Sequence, residues 1–122
     1  MRRSASARSL AVFLLVLGAC GAAQATDATR GKELYEARCA GCHSLDQDRV
    51  GPRHRGLIGR RAGAVKGFEY SAALRASRIV WSAQTLDRWL SGPERLIPGQ
   101  RMNYSVPDAT DRAALIAYLA TN

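Results

Sequence analysis

Aromatic residues, lysine, histidine and cysteine are all scarce in this chain, and each shortage narrows what it can be. Aromatics make up 7% of 122 residues, the lysines are Lys32 and Lys66, the histidines are His43 and His54, and there are three cysteines. Three cysteines cannot build the multi-bridge framework of a small disulfide scaffold. Apolar runs are short too: the segment from Leu10 to Leu17 falls well below the length needed to cross a bilayer. No alternation of apolar and polar residues is long enough to build a sheet, and no internal repeat or biased tract suggests a solenoid or a disordered chain. What is present is 47% hydrophobic and 23% charged residues, enough for one domain around one small core.

The opening residues read as a targeting segment. Arg2, Arg3 and Arg8 precede the apolar run, and Ala23-Gln24-Ala25 supplies an A-x-A cleavage site, so residues 1–25 are expected to be a signal peptide. A second exit competes with it, because Leu17-Gly18-Ala19-Cys20 resembles a bacterial lipobox in which Cys20 is cut free and acylated. Both routes export the protein to the bacterial periplasm. Lipidation of Cys20 would also anchor it to a membrane. Removal of residues 1–25 takes away three arginines and no acid, lowering the net charge from +8 to +5. Residues 26–122 therefore form a basic domain.

Two cysteines remain, in the string Cys39-Ala40-Gly41-Cys42-His43. A disulfide, a redox dithiol or half a zinc site are the bland readings of a C-x-x-C pair. Zinc lacks a second ligand pair here, and a thioredoxin-like dithiol lacks its sheet. Covalent haem attachment uses every position of C-x-x-C-H: residues i, i+3 and i+4 share one face of a helical turn, so Cys39 and Cys42 can form thioethers while His43 turns its imidazole to the iron. A low-spin carrier needs a second strong-field ligand, usually Met or His. Met102 follows the Pro98-Gly99 turn, which can aim a side chain inward from a loop, whereas His54 lies close in sequence to the first ligand. Met102 is thus the expected second axial ligand, its alternative role being a core gap-filler. His54 is expected to be a loop residue or a donor behind the ligands.

The organisation is all-α. A first helix is expected from an N-cap at Thr29 to the cysteine motif, followed by a glycine-rich ordered loop over residues 44–67. Ser71 can cap a short helix to about Ser77. Ser82 can cap another, carrying Leu86, Trp89 and Leu90 on one face and ending at Gly92-Pro93. Asp108 can cap the last helix, with Leu115, Tyr118 and Leu119 buried.

With these residues in place, the chain resembles the small class I c-type cytochromes, the soluble mitochondrial and bacterial electron carriers. The resemblance runs through Gly31-Lys32-Glu33-Leu34-Tyr35, the haem motif, Gly51-Pro52, Gly56-Leu57-Ile58-Gly59-Arg60, Gly67-Phe68-Glu69-Tyr70, Trp81, Ile97-Pro98-Gly99-Gln100-Arg101-Met102 and Leu115-Ile116-Ala117-Tyr118-Leu119. It implies a cytochrome c fold wrapped around one covalent haem c. It implies further that Gly31 lets the first and last helices cross beside Tyr35 and Tyr118, and that the Pro52 carbonyl holds the His43 ring. Arg60, Tyr70 and Trp81 would surround a buried haem propionate. The chain departs from the family's usual residues at several points: Trp89 stands where a Tyr commonly approaches the Met sulfur, Leu74 where Asn is common, and Gln100 where Thr is. His54-Arg55 replaces an apolar-then-His pair, and the Ser105-Val106-Pro107 exit from the Met loop is shorter and lacks Gly.

The function so implied is one-electron transfer rather than enzymatic turnover, since side chains filling both axial positions leave substrate no place on iron. The resemblance implies transient redox partners for a monomer, with a dehydrogenase or bc-type complex as donor and a terminal oxidase or other reductase of a respiratory chain as acceptor. Excess positive charge suits acidic docking faces, with Arg53, Arg55, Arg95 and Arg101 as the expected rim. Nucleic acid is not an expected partner, because the basic residues are dispersed and no recognition motif is present. Two rivals remain at this level: the haem subunit of a larger dehydrogenase complex, and a peroxidase-like or ligand-sensing domain with an open sixth site.

Overall fold

The computed structural model describes residues 19–122, which form five helices joined by ordered loops: α1 (Ala19–Arg38), α2 (Ala72–Ala76), α3 (Ala83–Ser91), α4 (Pro93–Leu96) and α5 (Ala109–Ala120). The described residues form no strand. The one piece of sheet-like pairing among them is an antiparallel bridge between Arg61 and Val80. The all-α expectation holds.

The caps read from the sequence are in place at three helices. The Ser71 side chain accepts from Leu74 N, Ser82 and Thr85 form a reciprocal capping box, and Asp108 accepts from Asp111 N. Two boundaries differ from expectation. Thr29 lies inside α1 rather than at its N-cap, because the preceding alanine-rich stretch contains no proline and continues the helix back to Ala19. Gly92-Pro93 ends α3 as expected but also opens α4, with proline in the first turn, where its missing N–H costs nothing. Of the expected signal peptide, residues 1–18 lie outside the described part, and Ala19–Ala25 form the first turns of α1. No helix among the described residues is long and apolar enough to cross a membrane.

The frame is the crossing of α1 over α5. Gly31 makes it possible: a Cβ there would stand 2.0 Å from the Ala114 carbonyl oxygen and 2.8 Å from the Tyr118 Cβ. Beside it the Tyr35 and Tyr118 rings pack with centroids 5.4 Å apart. Asp111, on the buried side of α5, accepts from Arg30 at 2.6 Å and pairs with Arg38 at 3.4 Å, closing the crossing with charge on its solvent side. α3 packs on α5 through Leu86 and Leu90 in the cluster that includes Leu115 and Leu119.

The long loop between α1 and α2 is held by backbone bonds to the segment that joins α2 to α3. Gly59 N donates to Trp81 O at 2.8 Å, Trp81 N to Arg60 O at 2.9 Å and Ala62 N to Ile79 O at 2.8 Å. Gly63, at φ +72°, approaches Leu74 so closely that a Cβ would lie 2.3 Å from its carbonyl oxygen. These ties bring Arg60, Tyr70 and Trp81 to the same side of the molecule as the end of α1.

Candidate cofactor site

The chain does not stop turning at the end of α1. Cys39 N and Ala40 N both donate to Tyr35 O, and Cys42 N and His43 N both donate to Cys39 O, at 2.8 to 3.0 Å. This extra turn puts Cys39, Cys42 and His43 on one wall of a cavity of about 450 Å³. Its lining is mostly apolar, with Leu57, Leu74, Leu86, Leu90, Leu115 and Leu119 contributing, and Met102 stands in the same lining. Cys39 and Cys42 are free thiols. Burial pushes the Cys39 thiol up to about 11, which is the wrong direction for a redox-active dithiol.

His43 is held from two sides. Its Nδ1–H donates to the Pro52 carbonyl at 2.8 Å, leaving the Nε2 lone pair as the ring's available ligand. Burial holds the imidazole below its ordinary range, against the pull of that hydrogen bond, so the ring is in the neutral form a metal requires. Gly51 leaves room for it: a Cβ there would come within 2.1 Å of His43 Cε1.

The ring is also backed by His54, stacked on it with centroids 4.0 Å apart and planes inclined by 23°. The loop makes this contact by folding back, with His54 N donating to Ser44 O and Arg55 N to Leu45 O. Tyr35 Oη lies 3.0 Å from His54 Nδ1. Burial first, then the neighbouring His43 and Arg60, push His54 down to about 3, so it too is neutral. Rings stacked at 4.0 Å leave no room for a cofactor plane between them, so His54 does not face His43 across a metal. The sequence placed His54 among loop residues or supporting donors but gave no sign of this stack, which depends on the return path of residues 44–54.

Arg60, Tyr70, Trp81 and Trp89 all line the cavity. The Arg60 guanidinium donates to Arg53 O at 2.7 Å and Arg55 O at 3.2 Å, and its remaining N–H groups stay free for an acid. Tyr70 Oη accepts from Val65 N at 3.2 Å and keeps its own proton to donate. The two indoles pack at 5.4 Å, and no polar side-chain atom among the described residues is both sealed and unpaired, so neither indole N–H is an orphan sealed in the protein. A largely apolar cleft with two thiols and an imidazole on one wall and convergent donors at one end suits a covalently tethered tetrapyrrole carrying carboxylates.

Comparison with known proteins agrees with this chemistry. The Cytochrome c family model matches residues 28–122. The chain belongs to the cytochrome c family. It is 41% identical over 98 residues to "Cytochrome c 2.1" of Caenorhabditis elegans, covering 78% of this chain and 88% of that protein. It is 38% identical over 104 residues to "Cytochrome c2" of Rhodopila globiformis, covering 83% and 98% respectively. Among solved structures, cytochrome cH from Methylobacterium extorquens superposes with a TM-score of 0.75 at 34% identity, over 79% of this chain and 99% of that one. As a member of this cytochrome c family the protein is a haem-based electron carrier, not an enzyme, and carries one covalently attached haem c.

The expected docking rim changes in detail. Arg53 is bound to Asp48 through both its backbone and its guanidinium, and Arg55 to Asp46, so the loop's own acids absorb much of that charge. Arg95 donates to Ser91 O. Of the four, Arg101 is the one that is exposed, lines the cavity and has no ion-pair partner among the described residues. Val50 and Tyr104, 79% and 41% exposed, line the same cavity and were not singled out from sequence.

Proposed function

We propose that this cytochrome c passes single electrons through a haem held by thioethers to Cys39 and Cys42 and ligated axially by His43 and Met102. The observation that carries this reading is the His43–Pro52 hydrogen bond, which fixes the tautomer with Nε2 free on the wall that also holds both thiols. When bound, haem supplies a one-electron redox couple whose geometry hardly changes between states if both axial positions are filled. The protein supplies the rest. Pro52 raises the basicity of His43, and the leucines and the Trp81–Trp89 pair exclude water. Arg60, Tyr70 and Trp81 offer N–H and O–H donors to a propionate, and Trp89 forms the wall on which the family more often places a Tyr.

Arg101, Val50 and Tyr104 combine one free cation with exposed apolar surface at the cavity, which suits brief contact with acidic redox partners, a dehydrogenase or bc-type complex on one side and an oxidase or other reductase on the other. The protein acts in the periplasm as a monomer after cleavage behind Ala25. A mature mass showing an acylated Cys20 would replace that with a membrane-anchored form. Optical spectra of the purified holoprotein test the ligation: low-spin iron in both states with the weak far-red band of methionine sulfur in the ferric form is expected. High-spin ferric iron without that band would overturn it.

A further inference from the structure

The two walls of the cavity are built differently. The His43 wall is fixed by backbone, glycine clearance and ring stacking, whereas the Met102 segment, tied by backbone bonds from Gln100 N to Ile97 O and from Val106 N to Leu90 O, is otherwise held by a small set of side chains within residues 94–103. Glu94, in α4, reaches forward: its Oε1 accepts from Gly99 N at 3.0 Å and its Oε2 from Gln100 Nε2 at 3.1 Å. Gln100 Nε2 also donates to Asn103 Oδ1 at 2.8 Å, and Gln100 Oε1 accepts from Asn103 N at 3.0 Å. The amide of Gln100 thereby brackets Met102. It is 6% exposed, one of the few buried polar side chains among the described residues.

Asn103 shows what this bracket holds in place. It has φ +48°, the left-handed region, and is the only non-glycine residue with positive φ among those described. Asparagine tolerates that conformation better than most residues but still at a cost, and such strain persists only where surrounding contacts over-determine it. Here the contacts are the two Gln100 hydrogen bonds. Asn103 and Tyr104 line the cofactor cavity on one side and a shallow solvent groove, floored by Ser91, Pro93 and Glu94, on the other. The chain around Asn103 and Tyr104, directly after Met102, therefore separates groove from cavity, with bonds at Gly99 and Asn103.

We propose that Glu94, Gln100 and Asn103 form a latch that positions Met102 and governs whether small heterocyclic bases reach the iron in its place. The inference rests on the His43/Met102 reading. Gln100 is a positioning residue: it works through the backbone on either side of Met102. Loss of the latch leaves the segment free to swing into the groove, which lowers the cost of exchanging sulfur for an incoming nitrogen base.

The test uses the ferric holoprotein and imidazole as the probe. Gln100→Glu keeps shape and volume but replaces both Nε2 donor bonds with a carboxylate facing that of Glu94. Losing two hydrogen bonds corresponds to a rise in imidazole affinity of roughly ten- to thirtyfold, read from loss of the far-red band on titration. Glu94→Ala, on the exposed side, should act in the same direction. Amide hydrogen exchange gives a readout independent of the iron: Gly99 and Asn103 should be protected in the wild type, and Gly99, whose acceptor is Glu94 Oε1, should lose protection in Glu94→Ala. Unprotected amides in the wild type, or variants with wild-type imidazole affinity and an intact far-red band, overturn the latch while leaving methionine ligation standing. A wild type without the band removes both.

Discussion

Gly31→Ala is the sharpest test of how the fold is assembled, because the added methyl has nowhere to go. Its Cβ would stand 2.0 Å from the Ala114 carbonyl oxygen and 2.7 Å from that carbonyl carbon, both backbone atoms in the middle of α5. No rotamer change relieves such a clash, so α1 and α5 must part by more than an ångström. Overpacking of this kind costs about 1–3 kcal/mol, and the upper half applies here because the obstacle is backbone rather than a movable side chain. Alanine returns about 1 kcal/mol of helix propensity over glycine. A net loss of about 1–2 kcal/mol lowers the melting temperature of a domain this size by about 4–16 °C. Thermal unfolding of the holoprotein, followed by far-ultraviolet circular dichroism at neutral pH, reads it directly. A melting temperature within about 2 °C of the wild type would show that the crossing is not the close contact described, since the two opposing terms could then not differ as argued.

The other predictions concern the site. Gly51→Ala drives a methyl to within 2.1 Å of His43 Cε1, so the ring must turn away from Pro52. With His43 as the proposed ligand, a less basic ring stabilises ferric iron less, and the reduction potential should rise in a spectroelectrochemical titration; an unchanged potential would show that the ring is not so confined. Oxidation of the ferrous protein by ferricyanide, an anionic probe, should slow as ionic strength rises, and Arg101→Gln should both slow it and flatten that dependence. A salt-independent rate in the wild type would count against steering by the rim. Because Arg101 stands in the Met loop and the only lysines are Lys32, paired with Glu36 on α1, and Lys66, replacement of Met102 by lysine at high pH should be impaired. Spectra of lysine-ligated iron in alkaline solution would refute this.

What the sequence made legible was local. Ser71, Ser82 and Asp108 announced their helices because a capping side chain acts within three residues of itself. The turn carrying Cys39, Cys42 and His43 was readable for the same reason. Thr29 misled because a good cap residue is used only if the preceding chain leaves the helix, and here the alanine-rich stretch does not. Gly92-Pro93 signalled a stop but concealed a start, since proline suits both the end of one helix and the first turn of the next. The site showed the same division. Pro52, Arg60, Tyr70 and Trp81 were placed by resemblance, whereas the His54 stack and the pairing of Arg53 and Arg55 depend on how residues 44–55 fold back on themselves. No spacing rule reports that path.

The two sides of the cavity differ in what would have to break to move them. On the His43 side, displacement requires the ring to leave Pro52, press against Gly51 and unstack from His54, which Tyr35 on α1 contacts in turn. That side is coupled to the α1–α5 crossing through the Tyr35–Tyr118 contact. On the Met102 side, four hydrogen bonds among Glu94, Gly99, Gln100 and Asn103 span only ten residues, and two of the three latch side chains belong to exposed residues. Opening that segment leaves the helix crossing untouched, so it can occur as a local event well below the free energy of global unfolding. Imidazole affinity and global stability should thus vary independently: Gly31→Ala lowers stability through the crossing, Gln100→Glu raises affinity through the latch, and under the proposed His43/Met102 ligation the Met102 side is where the protein should yield first.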